Sequence, residues 1–395
     1  MPRLRPLSAA LALGGLLAAL PSVAGAWEAD AVLESMQGVF EEQGFDITWG
    51  DAAVDGTTIR LSDAQVALAG EAERLPIGSL TLNGVSEQDD SYRVDQLSLP
   101  YYSTSAPDGS LTATGVSISG LVLPKQGTEA PYGGMMVYDS IELGEVVASM
   151  QGTQIFRLTD LHAEMMVPEG DDGMLEFTGA AEGFALNLDA LVEEDAQRQV
   201  LQRFGYSELK GYLEMAGSWR PSDGRLIVSQ YDLTVVDAGT IGLMLDLSGY
   251  TPAFIDSMRR VQEQMAANPE GESAQGLAML GLLQQLNFHG AVVRFSDDTL
   301  TNKVLEFVAA QQGAEPSDVA NQVKAIVPMQ LMSYLGPELT TEVSEAVTRF
   351  LDNPESLEIR AEPDKPVPFA LLMGAAMASP QSLPGQIGLA VNANE

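Results

Sequence analysis

The sequence predicts an α+β protein in which a long antiparallel β region, forming an extended or curved sheet, precedes a helix-rich C-terminal part that packs on it. Between residues 47 and 249, apolar and polar residues alternate in short stretches, and Gly, Asp, Pro and Asn separate these stretches. This pattern is typical of successive antiparallel strands. After Tyr250, apolar residues recur at helical spacing behind capping residues. A sheet with one apolar face needs cover and an amphipathic helix is unstable alone, so we expect the two parts to pack together.

Residues 1–26 have the composition of a secretory signal peptide. Arg3 and Arg5 form a basic head, residues 7–20 are apolar, and residues 24–26 (Ala-Gly-Ala) are small enough for a signal peptidase. The apolar run is shorter than the roughly 20 residues of a spanning helix, which disfavours the alternative of an uncleaved anchor. We therefore expect cleavage near Ala26, no stable transmembrane segment afterwards, and a periplasmic location. The predicted organisation is 1–26 signal peptide, 27–250 N-terminal helix and β region, and 251–395 helix-rich region with returning strands.

The β region follows one amphipathic helix. Val32, Met36, Val39 and Phe40 share a helical face, and Gly44 is a plausible end. The clearest strands form a meander over residues 211–249, where Ser222-Asp223-Gly224 and Asp237-Ala238-Gly239 provide the turns. Similar strand patterns recur at 57–69, 78–85, 92–99, 110–123, 135–142, 155–167 and 174–188.

The predicted helices have recognisable start and stop signals. Asp189 and Gly205 bracket one helix inside the β region. Downstream, Thr251-Pro252 begins a helix that ends near residues 268–271, and another covers 274–286. Further helices are predicted behind Asp298, Ser317 and Pro337, and Pro328 should kink or split the second of them. A lone strand is expected at 290–296. The chain is predicted to end with a strand at 357–361, a helix at 369–378 and a strand at 386–393.

Composition excludes several functional classes. The chain has no Cys, which excludes disulfides, thiolate catalysis and a lipid anchor on cysteine. Subtracting Arg3 and Arg5 from the 20 basic residues leaves 18 against 55 acidic residues, a formal net charge of −37. Such a surface repels phosphate backbones, so nucleic acid is not an expected partner.

No motif in the sequence identifies a catalytic, cofactor-binding or metal-binding residue. His162 and His289 lack nearby second ligands, and a zinc site needs three or four. Ser207 and Lys210 match the S-x-x-K pattern of serine acyltransferases, but the companion motifs are missing. Residues 115–120 and 271–276 each miss the G-x-S-x-G pattern by one residue.

Acidic pairs are better explained as structural residues. Residues 171–173 (Asp-Asp-Gly) and 297–298 (Asp-Asp) lack the alternating ligands and closing Glu of a calcium-binding loop. A hairpin turn and a helix cap, respectively, explain them. The three Trp residues, Trp27, Trp49 and Trp219, are spread too widely to predict a sugar-binding platform.

The strands punctuated by glycine resemble those of YdgA-like exported bacterial proteins and, more loosely, AsmA-like envelope proteins. The resemblance rests on residues 211–217 (GYLEMAG) through 245–249 (LDLSG), and on 350–359 (FLDNPESLEI) with 366–369 (PVPF). It implies an elongated sheet with a curved, partly apolar groove and a role in envelope or lipid handling. AsmA-like proteins usually keep an N-terminal membrane anchor, and the cleavage motif departs from that pattern.

These observations predict a soluble, non-enzymatic periplasmic protein that binds or scaffolds a component of the bacterial envelope. A lipid or another envelope protein is the expected partner. The alternative is a periplasmic hydrolase that uses acidic residues, because Asp and Glu are the only plentiful reactive groups. An outer-membrane barrel is disfavoured by the helix-rich half and the missing aromatic girdles.

Overall fold

A computed structural model describes residues 27–68, 74–106, 109–128, 131–168, 173–192, 194–267 and 272–395. The predicted signal peptide, with its cleavage site at Ala26, lies outside these residues. So do Asp171 and Asp172 of the predicted turn, and the loop 268–271 that was expected to end a helix. Within the described ranges the chain forms sixteen strands in one sheet and ten α-helices.

Most strands fall in the N-terminal two thirds of the chain. Their bounds are β1 Phe45–Thr48, β2 Asp51–Asp55, β3 Thr58–Leu68, β4 Leu75–Glu87, β5 Ser91–Ala106, β6 Gly109–Pro124, β7 Ser140–Met150, β8 Thr153–Met166, β9 Leu175–Asn187, β10 Glu208–Arg220, β11 Arg225–Val235, β12 Gly239–Ser248, β13 Asn287–Asp297, β14 Ser356–Ala361, β15 Val367–Pro368 and β16 Leu389–Ala393.

Most helices follow Tyr250. Their bounds are α1 Ala29–Glu42, α2 Leu188–Leu191, α3 Asp195–Phe204, α4 Pro252–Ala267, α5 Glu272–Leu283, α6 Leu300–Gln312, α7 Pro316–Leu335, α8 Pro337–Asp352, α9 Phe369–Ala378 and α10 Leu383–Gln386. Single 3₁₀ turns lie at Pro131–Gly133 and Pro380–Ser382. Among the described residues, none of these helices combines the length and apolarity needed to cross a bilayer.

The sheet is one antiparallel meander. From β3 to β14 each strand pairs with the next along the chain, and β16 then pairs with β14. The predicted hairpins of the 211–249 meander are confirmed, with Gly211 opposite Val235 and Leu226 opposite Leu247. The strand that we expected to be alone, β13, pairs with β12 and β14. The two returning strands, β14 and β16, rejoin the sheet as predicted.

Strand register separates an apolar face from a polar face. One row crosses β7 to β16 through directly opposed apolar residues: Leu143, Leu161, Ala181, Leu213, Leu233, Ile241, Phe295, Leu357 and Ala393. The adjacent row, on the opposite face, contains Glu142, His162, Ala180, Glu214, Asp232, Gly242, Arg294, Glu358 and Asn392. Side chains alternate between faces along a strand, so one row is apolar and the next is polar.

Helix α1 covers the apolar face at the N-terminal end of the sheet. Its predicted apolar stripe is confirmed, because Val32, Met36 and Val39 are buried against β1 and β3 to β6. The opposing sheet residues, Ile59 and Leu82 among them, are also buried. This is the largest of the hydrophobic clusters in the described chain, and it explains why a helix stands before the first strand.

Helices that follow Tyr250 cover the other end of the same face. Phe254 of α4 and Leu282 of α5 pack with Leu247 of β12. Farther along, Phe350 of α8 packs with Val391 of β16. The helix-rich part therefore contacts the sheet through its apolar face, as amphipathic helices require.

The residues predicted to cap the starts of α6 and α7 were wrong, because a neighbouring residue caps each helix. The Asp297 carboxylate, and not Asp298, accepts the Thr301 N–H at the start of α6. Helix α7 begins behind Glu315, which forms a capping box with Asp318, so Ser317 lies inside the helix. The cap predicted at Thr251 is confirmed, since its hydroxyl accepts the Phe254 N–H.

Three other elements differ from the sequence prediction. The strand expected at 135–142 begins only at Ser140, because the segment before it is a loop that bridges to β6 through Val137. The helix expected between Asp189 and Gly205 is two short helices, and the side chain of Asn187 caps the first of them. Helix α7 continues through Pro328 as one element, so of the two predicted outcomes, a kink or a split, the split does not occur.

Candidate functional site

Among the described residues, none of the clusters that pack a helix on the sheet is centred on the middle of the apolar face, where the short helix α2 contacts β8 and β10. The hydrophobic clusters under α1, α4, α5 and α8 include few side chains from β7 to β10. Yet the face keeps its apolar character there, with Leu143, Leu161 and Leu213 in direct register. We call this surface, from β7 to β13, the apolar groove.

Exposure of the groove increases toward its C-terminal strands. Ile241 on β12 is 53% exposed and Val293 on β13 is 43% exposed. Ile359 on β14, the cross-strand neighbour of Val293, is 45% exposed. Scattered exposed apolar residues are ordinary on protein surfaces, but adjacent positions in one register form a contiguous patch.

Helices form the walls of the groove. On one side stands α1, and on the other α4 and α8, and a helix rises about 10 Å above the surface on which it packs. One end is closed by the loop between β6 and β7. Tyr132 of this loop contacts the Trp219 ring on β10, with centroids 5.9 Å apart. The Gln43 side chain, just after α1, donates to the Gly134 carbonyl of the same loop at 2.7 Å.

A cleft of about 990 Å³ lies against this loop. Glu42, Tyr132, Asp256 and Arg259 are among its lining residues. Arg259 donates to the Asp256 carboxylate at 2.9 Å. Trp219, which contacts Tyr132 of this lining, is buried, and its Nε1–H donates to the Tyr250 carbonyl at 2.7 Å.

The floor of the groove offers contact but little hydrogen bonding. The backbone groups of β7 to β13 are consumed in the strand ladders on both sides of each strand. Along the row from Leu143 to Leu357 the side chains are aliphatic or aromatic, whereas the Glu and Asp residues of the adjacent row lie on the opposite face. Such a surface can bind a hydrocarbon chain and has few groups to bind an ion or a sugar.

Sequence reasoning missed a polar cluster on the opposite face. The His289 Nε2 atom lies 2.9 Å from the Ser248 hydroxyl oxygen, and Arg225 pairs with Asp246 beside them. Burial lowers the pKa of His289, and the positive charge of Arg225 lowers it further. His289 lies at a register shift between β12 and β13, and its partner is 41 residues away in sequence. Pattern matching over short windows could not have found this contact.

The motifs weighed in the sequence do not assemble into a catalytic site. His162 is exposed on the polar face, opposite Glu142 and Ala180. Lys210 lies in β10 and pairs with Glu208 at 2.7 Å, whereas S-x-x-K chemistry needs the Lys one helical turn from Ser207. Gly115 and Gly120 both lie within β6.

Aromatic and acidic residues also have structural roles. Trp27 and Trp49 pack partly buried against the α1 cluster, far along the chain from Trp219. Asp297 caps α6. In the described part of the chain, His, Asp and Glu side chains do not gather in a group of three or more that could hold a metal ion.

Comparison with known proteins finds a family model that matches one region of the chain, and it indicates no activity. The chain is thus a mixed α and β protein built on one long antiparallel meander. A family model described as uncharacterised protein matches residues 232–394, which is less than half of the chain. The match begins within β11 and ends after β16, so it includes the helices that cover the C-terminal end of the groove. No curated protein matches the chain.

Proposed function

We propose that this protein is exported to the bacterial periplasm and binds lipid there without catalysing a reaction, holding hydrocarbon chains in the apolar groove. The observation that carries the proposal is the row of apolar side chains between α1 and the C-terminal helices, which is half-buried at Leu143, Leu161 and Leu213 and mostly exposed at Ile241. Apolar surface gains roughly 25 cal/mol for each Å² removed from water, so an uncovered face of this kind favours a bound apolar ligand.

A lipid fits the groove better than an added β-strand does. Strand addition needs free N–H and C=O groups, and those are available at sheet edges but not on a sheet face. Hydrocarbon chains have no polar groups to satisfy. Neighbouring strands lie about 4.8 Å apart, so the floor between the covered ends is wide enough for more than one chain side by side.

The sequence supplies the rest of the proposal. Residues 1–26 support export, and the glycine-punctuated strands, whose sequence resembles that of YdgA-like and AsmA-like proteins, are our reason for proposing a role in the envelope. The net charge of −35 supports a neutral or zwitterionic ligand, since an anionic headgroup would be repelled.

Native mass spectrometry of the full-length chain, expressed in its own host with residues 1–26 present, tests the proposal. We expect the purified protein to lack residues 1–26 and to carry co-purified lipid that is released on mild activation. In the double variant Ile241→Gln, Val293→Gln, the lipid-bound fraction should fall, by roughly tenfold for each of the two apolar side chains replaced.

Met244→Gln is the matched control. Met244 lies on the same strand as Ile241 and is about as exposed, but register places it on the polar face opposite Val292. This variant should retain its lipid. Repeated preparations without lipid, or an equal fall in bound lipid in the control, would contradict the proposal, and a co-purified protein would show that the groove binds a polypeptide.

The alternative function, a hydrolase that uses acidic residues, would have to use a different surface. The carboxylates of Glu142, Glu214 and Asp232 alternate onto the polar face, away from the groove. Turnover of an ester or glycoside by the purified protein, abolished by substitution of one of these carboxylates, would favour the alternative.

A further inference from the structure

We propose that the uncharged surface formed by α5, the second half of α7 and α9 docks onto the surface of a neutral lipid bilayer. Only the biological role of this docking, the transfer of lipid between a bilayer and the groove, rests on the proposed function. The docking itself is argued from the charge, exposure and position of these helices.

After Tyr250, three segments of more than ten residues contain no Asp, Glu, Lys or Arg. They are residues 273–293, 325–337 and 366–394, although 19% of all residues in the chain are charged. The first contains all but one residue of α5, the second contains the C-terminal half of α7, and the third contains α9 and α10. Bringing these segments against hydrocarbon would therefore desolvate no charged side chain of their own.

The three segments are contiguous in the fold. The Phe369 N–H, at the start of α9, donates to the Leu286 carbonyl just after α5 at 3.0 Å. The Phe369 ring packs beside Leu282 of α5. At its other end, α9 contacts the turn Pro380–Ser382, and that turn contacts α7. One uncharged surface thus runs from α5 through α9 to α7.

Large apolar side chains protrude from this surface. Met377 is 88% exposed, Met329 is 80% exposed and Leu277 is 70% exposed. Ile326, Leu371 and Tyr334 are also mostly exposed. Helix α9 has the sequence FALLMGAAMA, and none of its residues is fully buried. These side chains are not core residues, and the fold does not use them for its own packing.

The chemistry of the surface favours a bilayer over a second copy of the chain. Two copies with a net charge of −35 repel each other, and the same charge repels anionic lipid. Side chains that protrude singly fit a fluid hydrocarbon layer, whereas protein interfaces need a complementary shape. Tyr334 has the amphipathic ring that is enriched where membrane meets water. The expected partner is therefore a bilayer with zwitterionic headgroups, and binding should scale with the buried apolar area.

Vesicle flotation tests the inference with the full chain, purified from a soluble extract, and phosphatidylcholine vesicles. The unsubstituted protein should float with the vesicles. The triple variant Met329→Glu, Leu371→Glu, Met377→Glu should partition at least tenfold more weakly, since each Glu would be forced toward hydrocarbon. The control triple variant is Val54→Glu, Tyr101→Glu, Met166→Glu, which changes mostly exposed apolar residues elsewhere and should float as the parent does.

A second measurement guards against loss of folding in the triple variant. The chain has no Cys, so Met377→Cys can be labelled uniquely with an environment-sensitive fluorophore. Its emission should shift to the blue when vesicles are added, and the emission of labelled Met166→Cys should not. Absence of flotation by the parent protein, equal flotation of both triple variants, or equal shifts at both labels would overturn the inference. A dimer that the Met377→Glu change dissociates would overturn it in favour of a second copy.

The two proposals fail separately. The groove variant Ile241→Gln, Val293→Gln should still float with vesicles while its lipid disappears from native mass spectra. The surface variant should still hold a lipid supplied in detergent. Flotation without any groove-bound lipid would reject the proposed function and retain the docking surface.

Discussion

Replacement of Trp219 tests whether this residue links the β region to the helices that follow Tyr250. Its indole is 2% exposed on β10 and contacts three separate parts of the chain. Tyr132 packs edge-on against the ring, Leu226 lies opposite on β11, and the Tyr250 carbonyl accepts the indole N–H. Tyr250 in turn connects the sheet to α4, so Trp219 links the β region to the helical part.

The structure gives different costs for two substitutions. Trp219→Phe keeps most of the apolar volume but leaves the Tyr250 carbonyl without its donor, which should lower the free energy of unfolding by about 2 kcal/mol. Trp219→Ala removes the whole ring and opens a cavity, which should cost about 4 kcal/mol. Removing the edge-on packing against Tyr132 adds about 1 kcal/mol in the Ala variant.

Urea unfolding followed by far-ultraviolet circular dichroism measures these differences. Tyr101→Ala is the control, because Tyr101 is an exposed aromatic residue on β5, several strands away from Trp219, and should change stability by no more than about 0.5 kcal/mol. A cost for Trp219→Ala as small as that of the control would refute the role assigned to this residue. A cost confined to the Ala variant would show that the hydrogen bond to Tyr250 contributes little.

Four further changes test this junction and other parts of the fold. Gly224→Ala should cost at least about 2 kcal/mol in urea unfolding, because φ is +65° and a Cβ atom would lie 2.3 Å from the Tyr250 nitrogen. Gly313→Ala, with φ of +66° and open space around the site, should cost only about 1 kcal/mol. The pKa of His289 is lowered in the folded protein, so the unfolded chain binds the proton first as pH falls. The free energy of unfolding should therefore decrease below about pH 6.5. When stability is measured against pH, the His289→Gln variant should show a smaller decrease. A chain truncated after Tyr250 should bind a hydrophobic dye and aggregate in sedimentation, whereas a soluble monomer with cooperative unfolding would contradict joint folding of the two parts.

Local patterns in the sequence were enough to predict the strands of the meander. The turn at Asp223-Gly224 joins β10 to β11, and Gly224 has the positive φ for which the turn was predicted. Turn residues and period-two alternation act over a few neighbouring residues, so short windows of sequence record them. Capping at Thr251 was predictable for the same reason.

Features that depend on distant partners could not be predicted. Ser248 and His289 meet only because β12 and β13 pair across an intervening helical segment. The caps at Asp297 and Glu315 were missed because several polar residues precede each helix and tertiary packing selects which one is used. Sequence also cannot show which part of an apolar face is covered, since Leu82 under α1 and Leu213 in the groove occur in the same alternating pattern.

The openness of the groove is a property of the fold that stability alone does not explain. The strands can carry polar residues at neighbouring positions, because Gly242, Arg294 and Glu358 occupy the row beside Ile241 on the opposite face. Replacing Ile241 by a polar residue would remove exposed apolar surface at little cost in packing, since the side chain is mostly exposed. Selection for folding and solubility would therefore favour polar residues on both faces of the uncovered strands. An apolar face kept on one side of a strongly acidic protein is what the proposed lipid ligand requires, and the groove is where we propose that this ligand be sought.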